Sequence, residues 1–589
     1  MTNSEIARVF EQIAEILEIK GENPFKIRAY LNASRVINQL GESLSDMSGE
    51  NGLINIPGIG KDLSLKIKEL IKTGHLAYYD KLAGSIPQGV LELIKLRGLG
   101  PKKANMLYEN FHIKSIDGLY NAILSNKLTK MHGFGEKTIE NLKESIEEYR
   151  TFSQRFLYVF AQEEASAFVD YLKNTPYKLA DAIVIAGSLR RKMETVGDID
   201  IVASVKEKDK QAFTERFVNY DKVLRIESTG ETKISVILKS GIHVDLRIVQ
   251  DEDFVYALHH FTGSKIHNEE LRTLVKKDGY KINEYGIFRD RGINNAANKV
   301  KVANEIEFYN VFGMQFIPPE LREGTGEIDA ALNRGIPELV EEKDLQGIFH
   351  VHTTYTDGKD SLEDMVKSSL KNGYKYVGIS DHSVSAHYAN GLDRSNLESQ
   401  IEYIGRLNDE YKGKIKIFKG IESDILADGS LDYDDETLSM LDFVIASVHS
   451  KFNMPETQMT ERIINAVKNP YTTMIGHLTG RLLLERKGYA VNVSKILDYA
   501  SKYRTIIELN ANPKRLDIDW RHIKEAVSKP VLIAINPDAH NVSSLYFAGY
   551  GVNAARKGWA KKADILNARS AGEVMKIFKG IRDYKLKLR

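Results

Sequence analysis

The stretch that decides the fold of the central region is AIVIAGSLRRKMETVGDIDIVASV, residues 182–205. It holds two strand-like apolar runs, and a turn at Gly187 and Ser188 leads from the first run to a pair of arginines. In the second run Asp198 and Asp200 are two residues apart, so a strand points both side chains to the same face. Adjacent carboxylates repel each other unless a cation lies between them. The pattern therefore predicts a metal site on one face of a sheet.

A third carboxylate strengthens this prediction. Asp245 lies in the apolar run IHVDLRIV, residues 242–249, which predicts a neighbouring strand. Three convergent carboxylates suit hard divalent cations such as Mg²⁺, which also bind substrate phosphates. The turn before Arg191 adds N–H groups, a hydroxyl and a guanidinium that fit a triphosphate. The alternative is that Asp198 is a turn residue and the other two aspartates are solvated, but the combined segments favour phosphoryl transfer.

Three related segments upstream form a repeat. IPGIGKDLSLKI, LRGLGPKKANML and MHGFGEKTIENL have first glycines 40 and then 35 residues apart. Each places Gly-x-Gly before a helical pattern, where free N–H groups at a helix start can bind phosphate. Residues 51–115 hold ten Lys or Arg against five Asp or Glu, which favours a sugar-phosphate partner.

A plain turn between packed helices is the alternative explanation of any single copy of this repeat. Three copies with basic flanks instead resemble helix-hairpin-helix motifs, which bind the DNA backbone without reading its sequence. The predicted DNA-binding glycines are Gly58, Gly60, Gly98, Gly100, Gly133 and Gly135.

Residues 1–318 as a whole resemble the family X DNA polymerases, the group that includes DNA polymerase beta. The resemblance rests on NPFKIRAY, GSLRR, GDIDIV, VDLR and HHFTGSKIHNEELR together with the glycine repeats. It implies a nucleotidyltransferase palm in which Asp198, Asp200 and Asp245 hold Mg²⁺ or Mn²⁺, and in which Asp245 assists the primer 3′-hydroxyl. The nucleotide-binding residues that it implies are Gly187, Ser188, Arg191, Gly197, His260, Phe261, Thr262, Gly263, Lys265, Asn268 and Arg272.

Three positions depart from the family pattern. His260 stands where the family often has tyrosine, and Lys265 stands where it often has aspartate. Both changes concern residues that, by the resemblance, select the sugar and hold the nucleotide. Lys66 matches the family's Schiff-base lysine, an amine nucleophile that removes 5′-deoxyribose phosphate. Asp62 replaces another lysine that the family often has nearby. The resemblance thus implies a lyase site at Lys66 that lacks one neighbouring lysine.

The C-terminal part has a different pattern. Residues 319–345 are rich in turn formers and predict a linker with a short helix; seven short apolar runs then alternate with helical or polar stretches. This alternation predicts a parallel sheet, and seven units predict a closed barrel related to the TIM barrel. Six of the eight histidines after residue 349 fall at the ends of these runs. A single such histidine is more often a packed residue, whereas six favour a metal site.

Histidines mixed with carboxylates suit Zn²⁺, Mn²⁺ or Fe, and this many ligands exceed what one ion needs. The pattern closely resembles the polymerase and histidinol phosphatase (PHP) domain, a metallophosphoesterase. This resemblance implies a cluster of about three ions in which Glu422 bridges two of them. The implied ligands are His350, His352, Asp357, His382, Glu422, His449, His477, Asp538 and His540.

The composition limits the remaining possibilities. The 589 residues exceed what one core can hold and suggest several domains. With 82 basic and 81 acidic residues the net charge is +1, so a nucleic-acid partner requires local basic surfaces. The absence of cysteine excludes disulfides and thiolate ligands. The chain lacks a targeting segment and any apolar run of about 18 residues, which predicts a cytoplasmic protein without membrane contact.

The predicted architecture is multidomain α/β. Its parts are a lyase-like helical domain (1–85), a fingers-like helical domain (86–150), an α+β nucleotidyltransferase palm (151–250), a thumb (251–318), the linker (319–345) and a distorted seven-stranded (β/α)7 PHP barrel (346–589).

The predicted function is that of a monomeric repair polymerase that fills gaps in DNA with deoxynucleotides, as in base excision repair, joined to a metal-dependent 3′-5′ exonuclease or phosphoesterase. Three alternatives stay open. The polymerase half can serve only to bind DNA, the PHP barrel can be purely structural, or the palm can transfer nucleotides to a small acceptor without a template. The sequence also leaves open whether the barrel acts as an exonuclease, an abasic-site nuclease or a phosphatase.

Overall fold

A computed structural model of the chain describes residues 3–39, 44, 53–56, 58–94, 96, 98–128, 131, 134–152, 155–289 and 298–589. The chain divides into two compact units, Met1–Gln154 and Arg155–Arg589, and each is described by itself. In the described residues no helix is both long enough and apolar enough to cross a membrane.

The first unit is helical in its described residues. Helix α1 supplies Phe10 and Leu17 to one buried apolar cluster and Ile16 and Ile19 to a second, so one amphipathic helix serves two cores. The helices are α1 (Asn3–Ile19), α2 (Pro24–Gln39), α3 (Lys61–Thr73), α4 (Ala77–Ala83), α5 (Gln88–Leu93), α6 (Pro101–Phe111), α7 (Ile116–Leu124) and α8 (Glu136–Phe152).

The glycine repeats lie at helix starts, as predicted. Helix α3 begins directly after Gly60 and helix α6 directly after Gly100. Gly58 and Gly98 have φ angles of 88° and 86°, a left-handed backbone that favours glycine. Helix α8 begins directly after Gly135. The remaining predicted glycine, Gly133, lies outside the described residues.

The second unit begins with a palm built on a five-stranded sheet, in the order β2-β4-β7-β6-β5. Strands β4 and β7 are parallel, and their register puts Asp200 opposite Asp245. The palm elements are β1 (Phe156–Leu157), α9 (Tyr158–Lys173), β2 (Ala182–Ile185), α10 (Gly187–Arg190), β3 (Thr195–Val196), β4 (Asp198–Ser204), α11 (Lys210–Val218), β5 (Val223–Thr229), β6 (Lys233–Leu238) and β7 (His243–Val249).

The thumb follows the palm and includes much of the predicted linker. Ile317, Leu321 and Ile328 from the predicted linker and the residues just before it pack into the same buried cluster as Tyr256 and Leu271. This segment contains one short α-helix, as predicted. The thumb elements are α12 (Phe254–Thr262), α13 (Lys265–Lys277), β8 (Tyr280–Asn283), β9 (Gly286–Arg289), β10 (Lys299–Val300), α14 (Glu305–Asn310) and α15 (Glu327–Leu332).

The C-terminal part forms the predicted barrel of seven parallel strands, which follow one another in chain order from β11 to β17. The first and last strands approach each other, because the His352 N–H donates to the Ala539 carbonyl (2.8 Å) and the Ala539 N–H donates to the His350 carbonyl (3.0 Å). The barrel is therefore nearly closed. Phe349, Phe418, Phe443 and Phe578 belong to a buried aromatic cluster in this barrel.

The barrel elements alternate as the sequence predicts. They are β11 (Gly347–Val351), α16 (Leu362–Lys371), β12 (Tyr376–Ile379), α17 (Arg394–Glu410), β13 (Lys416–Asp424), α18 (Asp435–Ser439), β14 (Phe443–Ser447), α19 (Glu456–Lys468), β15 (Met474–Ile475), α20 (Val493–Tyr503), β16 (Ile506–Asn510), α21 (Trp520–Ser528), β17 (Ile533–Asn536), α22 (Ala548–Lys557) and α23 (Ala571–Leu586).

Candidate active sites

The barrel brings all nine predicted ligands together at the carboxyl ends of its strands. They form four overlapping groups, and within each group the ligand atoms lie within 4.8 Å of one another. The groups are His352, Asp357, His382 and His540; His350, Glu422 and His477; His350, His352 and Asp538; and His382, Glu422 and His449. Shared members make this one connected cluster, large enough for several ions.

Unpaired nitrogen atoms show that this cluster is suited to metal ions. Both ring nitrogens of His352, Nε2 of His350, and Nδ1 of His382 and His477 are buried and make no hydrogen bond in the described part of the chain, although Glu422 lies 3.2 Å from Nε2 of His350 and 3.0 Å from Nδ1 of His382. A buried polar atom without a partner costs free energy, and a neutral imidazole nitrogen is a good ligand for Zn²⁺, Mn²⁺ or Fe. The donor set therefore fits the implied cluster.

Glu422 lies at the centre of the cluster and belongs to two of the groups. Its Oε1 is 2.9 Å from Nε2 of His477, and its Oε2 is 3.0 Å from Nδ1 of His382. Burial alone would raise its pKa, but the surrounding imidazoles, among them His350 and His449, hold the pKa of Glu422 well below its ordinary value. An ionised carboxylate with both oxygens facing ligands is the arrangement that a bridging role requires.

The ligand pairs His350/His352 and Asp538/His540 are not alternate residues of regular strands. Strand β11 ends at Val351, so His352 lies beyond it, and His350 has a left-handed φ of 59° beside an irregular register. Asp538 and His540 likewise follow the end of β17, and Asp538 has a φ of 52°. Left-handed backbone is costly for such residues. His350 within β11 and Asp538 after β17 therefore have strained backbone conformations, and His477 also has a positive φ of 20°.

A fourth carboxylate, which the sequence pattern did not reveal, orients the first ligand. Glu508 on β16 is fully buried, and its Oε1 is 2.6 Å from Nδ1 of His350. Its Oε2 accepts from the backbone N–H of His477 at 2.7 Å. This contact fixes the His350 tautomer so that Nε2 faces the cluster. The available signal was a lone carboxylate within the apolar run TIIELNA.

Replacing Glu508 by glutamine is expected to weaken metal retention by about 10- to 100-fold, the usual effect of removing a carboxylate that orients a ligand histidine. The reason is that the neutral amide supports the His350 Nδ1–H less strongly. Metal content per chain after dialysis against a graded chelator series measures the change. Glu461→Gln, an exposed glutamate paired with Lys495, serves as the control. Equal metal retention in both variants would contradict the role assigned to Glu508.

The palm places its three predicted aspartates on one sheet face. Asp198 and Asp200 are two residues apart on β4, so their side chains point to the same face, and Asp245 lies opposite Asp200 on β7. Burial, with the neighbouring Asp198 and Asp245 carboxylates, raises the pKa of Asp200 to about 7. A divalent cation would relieve this repulsion, so the three carboxylates fit Mg²⁺ or Mn²⁺. Gly187 must lack a side chain here, because a Cβ would lie 1.9 Å from Oδ2 of Asp200.

Asp245 has two further partners that the sequence analysis missed. The Ser235 hydroxyl donates to its Oδ1 at 2.6 Å, and Nζ of Lys233 lies 2.7 Å from its Oδ2. Both partners come from β6, the antiparallel neighbour of β7. Within the described residues, only the barrel contains groups of three or more ligand atoms that all lie within 4.8 Å of one another. The three palm aspartates are neighbours on the sheet, but their oxygen atoms do not form such a group.

The predicted triphosphate arginine belongs to a network between palm and thumb. Arg191 donates from Nε to Glu323 at 2.9 Å and from Nη1 to the carbonyl of Thr262 at 2.9 Å. Its neighbour Arg190 donates to the Thr262 hydroxyl at 2.7 Å and forms an ion pair with Glu305. Ser188 lies in the short helix α10, and Gly197 directly precedes β4. The two arginines therefore join the segment between β2 and β4 to the thumb.

The other predicted nucleotide residues lie at the junction of α12 and α13. Asn268 donates to the carbonyls of His260 (2.8 Å) and Gly263 (3.2 Å) and thereby fixes this turn. The Arg247 guanidinium lies 4.7 Å from the ring centroid of Phe261. Nη2 of Arg272 lies 3.4 Å from Nδ1 of His260. Lys265 begins α13 with an exposed side chain.

Lys66, the predicted lyase nucleophile in the first unit, lies on α3. Its amine forms an ion pair with Asp62, the residue that replaces a family lysine. The amine also lies 4.9 Å from the ring centroid of Tyr78 and 5.8 Å from that of Tyr30. Among the described residues, the Lys66 amine thus lies beside one carboxylate and two aromatic rings.

Four family models match the chain. A helix-hairpin-helix domain matches residues 1–76, and a SAM-like helix-hairpin-helix tandem matches residues 90–148. The DNA polymerase beta thumb matches residues 257–323, and the PHP domain matches residues 349–512. The predicted helix-hairpin-helix, thumb and PHP parts are thus matched in the predicted order.

Relatives match the whole chain or one of its halves. The DNA polymerase/3′-5′ exonuclease PolX of Bacillus subtilis is 37% identical over 98% of this chain and 99% of its own length. DNA polymerase lambda of Arabidopsis thaliana is 24% identical over 54% of this chain and 62% of its own length. A probable phosphatase of a Thermoanaerobacter species is 29% identical over 32% of this chain and 77% of its own length.

Proposed function

Because the chain belongs to the family X DNA polymerases that carry a C-terminal PHP domain, we propose that it fills gaps in DNA during repair and trims 3′ ends with its barrel. The single observation that carries this proposal is the presence of two chemically different candidate ligand sets in one chain. One set is three carboxylates in the palm, and the other is the nine-ligand cluster in the barrel.

The palm residues suit nucleotidyl transfer. Mg²⁺ or Mn²⁺ bound by Asp198, Asp200 and Asp245 would supply charge stabilisation for the attacking and leaving oxygens. Asp245, held by Ser235 and Lys233, is suited to accept the proton of the primer 3′-hydroxyl. Ser188 and Arg191 would hold the triphosphate through hydrogen bonds, with the guanidinium as a planar donor. The residues around Gly263 would contact the sugar and base of the incoming nucleotide.

The barrel residues suit hydrolysis of phosphate esters. Zn²⁺, Mn²⁺ or Fe ions held by the nine ligands would supply a water of lowered pKa and a clamp for phosphate oxygens. The rim also offers an exposed aromatic surface, since Tyr388 is 63% exposed and its ring lies 5.6 Å from the His382 ring. A base of a DNA end can stack on such a ring. This feature supports a nucleic-acid end as the substrate.

In the first unit we propose that the Gly-x-Gly turns bind the DNA backbone through N–H groups at the starts of α3 and α6. A lyase role for Lys66 remains part of the proposal, and its carboxylate neighbour Asp62 distinguishes this site from the family pattern.

A 5′-labelled duplex with a one-nucleotide gap tests the two activities in one experiment. With deoxynucleotides and Mg²⁺ we expect products one nucleotide longer, and without deoxynucleotides but with Mn²⁺ we expect a ladder of shorter products. Templated extension is expected only with the matching nucleotide, because the family implies template-directed insertion. Extension of single-stranded DNA with any nucleotide would instead indicate template-free transfer, and an unshortened primer would indicate a structural barrel.

A further inference from the structure

The barrel contacts the polymerase half through a buried lysine beside the nucleotide site. Lys557 ends α22, and only 1% of its surface is exposed. Its Nζ donates to the carbonyls of Arg191 (3.0 Å) and Glu320 (3.3 Å) and to the Glu323 carboxylate. It also lies 4.6 Å from the ring centroid of Trp520. A buried ammonium group requires partners of this kind. Burial lowers the pKa of Lys557 to about 8 even with the Glu323 carboxylate beside it, so at pH 7 the lysine still places a positive charge against the polymerase half.

Glu323 joins this lysine to the predicted triphosphate arginine. The same oxygen, Oε1, is the acceptor for Lys557 and for the Arg191 Nε–H. Arg191 also donates to the carbonyl of Thr262, which directly precedes Gly263. These two contacts use two of the five N–H donors of the guanidinium and fix its plane, while the others can still bind phosphate oxygens.

We propose that Lys557 is a positioning residue for nucleotide addition, because it neutralises Glu323 and so leaves Arg191 free to attract the triphosphate. Arg191, Glu323 and Lys557 together carry a net charge of +1. Without the lysine, Arg191 and Glu323 form a neutral pair, and the carboxylate competes with the triphosphate for the same guanidinium. This inference rests on the polymerase function proposed above, and it makes the barrel a part of the nucleotide site.

A purely structural role for Lys557 would have different consequences. If the lysine only joined the barrel to the thumb, its loss would lower both activities or the unfolding temperature without a selective effect on nucleotide binding. A selective change in the KM for the nucleotide is therefore the informative readout, since loss of ground-state binding raises KM while kcat is retained.

The test measures single-nucleotide insertion into the gapped duplex by the full-length protein carrying Lys557→Met. We expect the KM for the deoxynucleotide to rise about tenfold, the effect of weakening one charge-assisted contact, with kcat and the exonuclease rate nearly unchanged. Adding Glu323→Gln to this variant restores the net charge of +1, so the KM should fall back toward that of the unchanged protein. Lys557→Arg keeps the charge and should raise KM less than Lys557→Met.

The matched control is Lys585→Met. Lys585 is also buried in the barrel (2% exposed), but its Nζ donates to the carbonyls of Asn469 and Thr472, which belong to the barrel. It should leave the KM for the nucleotide unchanged. If Lys557→Met does not fold, Glu323→Gln alone decides, because it removes the competing charge: an equal or lower KM supports the inference, and a higher KM overturns it.

The outcomes separate this inference from the proposed function. An unchanged KM in folded Lys557→Met, or a double variant whose KM stays as high as that of Lys557→Met, overturns the role of Lys557 while gap filling stands. Absence of gap filling by the unchanged protein overturns the polymerase function, and the role of Lys557 falls with it.

Discussion

Replacing Asp200 by asparagine is expected to lower the rate of nucleotide addition by about 10⁴-fold and to leave 3′-end trimming unchanged. Asp200 lies between the other two aspartates, with Asp198 two residues away on the same strand and Asp245 opposite it on β7. A neutral amide removes one of the three charges that attract the cations. The amide would also replace the carboxylate that lies against Gly187, in the turn that is predicted to bind the triphosphate.

Rapid-quench insertion on the gapped duplex at saturating nucleotide measures this change. Asp181→Asn is the matched control, because Asp181 is an aspartate of the same domain that pairs with Lys178 and Lys206 at the surface. The exonuclease rate of the same preparation reports whether the chain is folded. Insertion within tenfold of the unchanged protein would show that the palm aspartates do not carry the reaction.

Replacing Glu422 by glutamine is expected to lower 3′-end trimming by about 10³-fold while gap filling persists. Glu422 belongs to two ligand groups, and its two oxygens face different histidines. Loss of its charge would remove one anionic ligand from each of these groups, so ions held there would be bound less tightly and would repel each other more. We therefore also expect fewer metal ions per chain.

Metal analysis and a trimming assay without nucleotides measure the two effects together. Glu485→Gln, an exposed glutamate of the barrel paired with Lys514, is the control. Trimming that persists at the normal rate in a Glu422→Gln protein with reduced metal content would assign the activity to another site. Normal trimming with normal metal content would refute the bridging role itself.

The strands of the palm and the positions of its aspartates could be predicted because short stretches of sequence specify them. Asp198 and Asp200 lie on one continuous strand, where the two-residue period decides the face of the sheet. To place Asp245 near them, it was enough to predict that its strand neighbours β4; the register then puts Asp245 opposite Asp200. The seven-stranded barrel was also predicted and is confirmed, because strands that alternate with helices have few ways to cover both faces of a parallel sheet.

The sequence alone was enough to recognise the family and to identify the nine candidate ligands of the barrel, since these depend on residue identity and period. Only the tertiary structure decided how the ligands converge, with left-handed backbone at His350 and Asp538 that the sequence pattern does not reveal. It also decided the partners of Glu508 and Lys557. The physical reason is that a buried charged group requires a hydrogen-bonding or oppositely charged partner, and here that partner comes from an element far away in the chain.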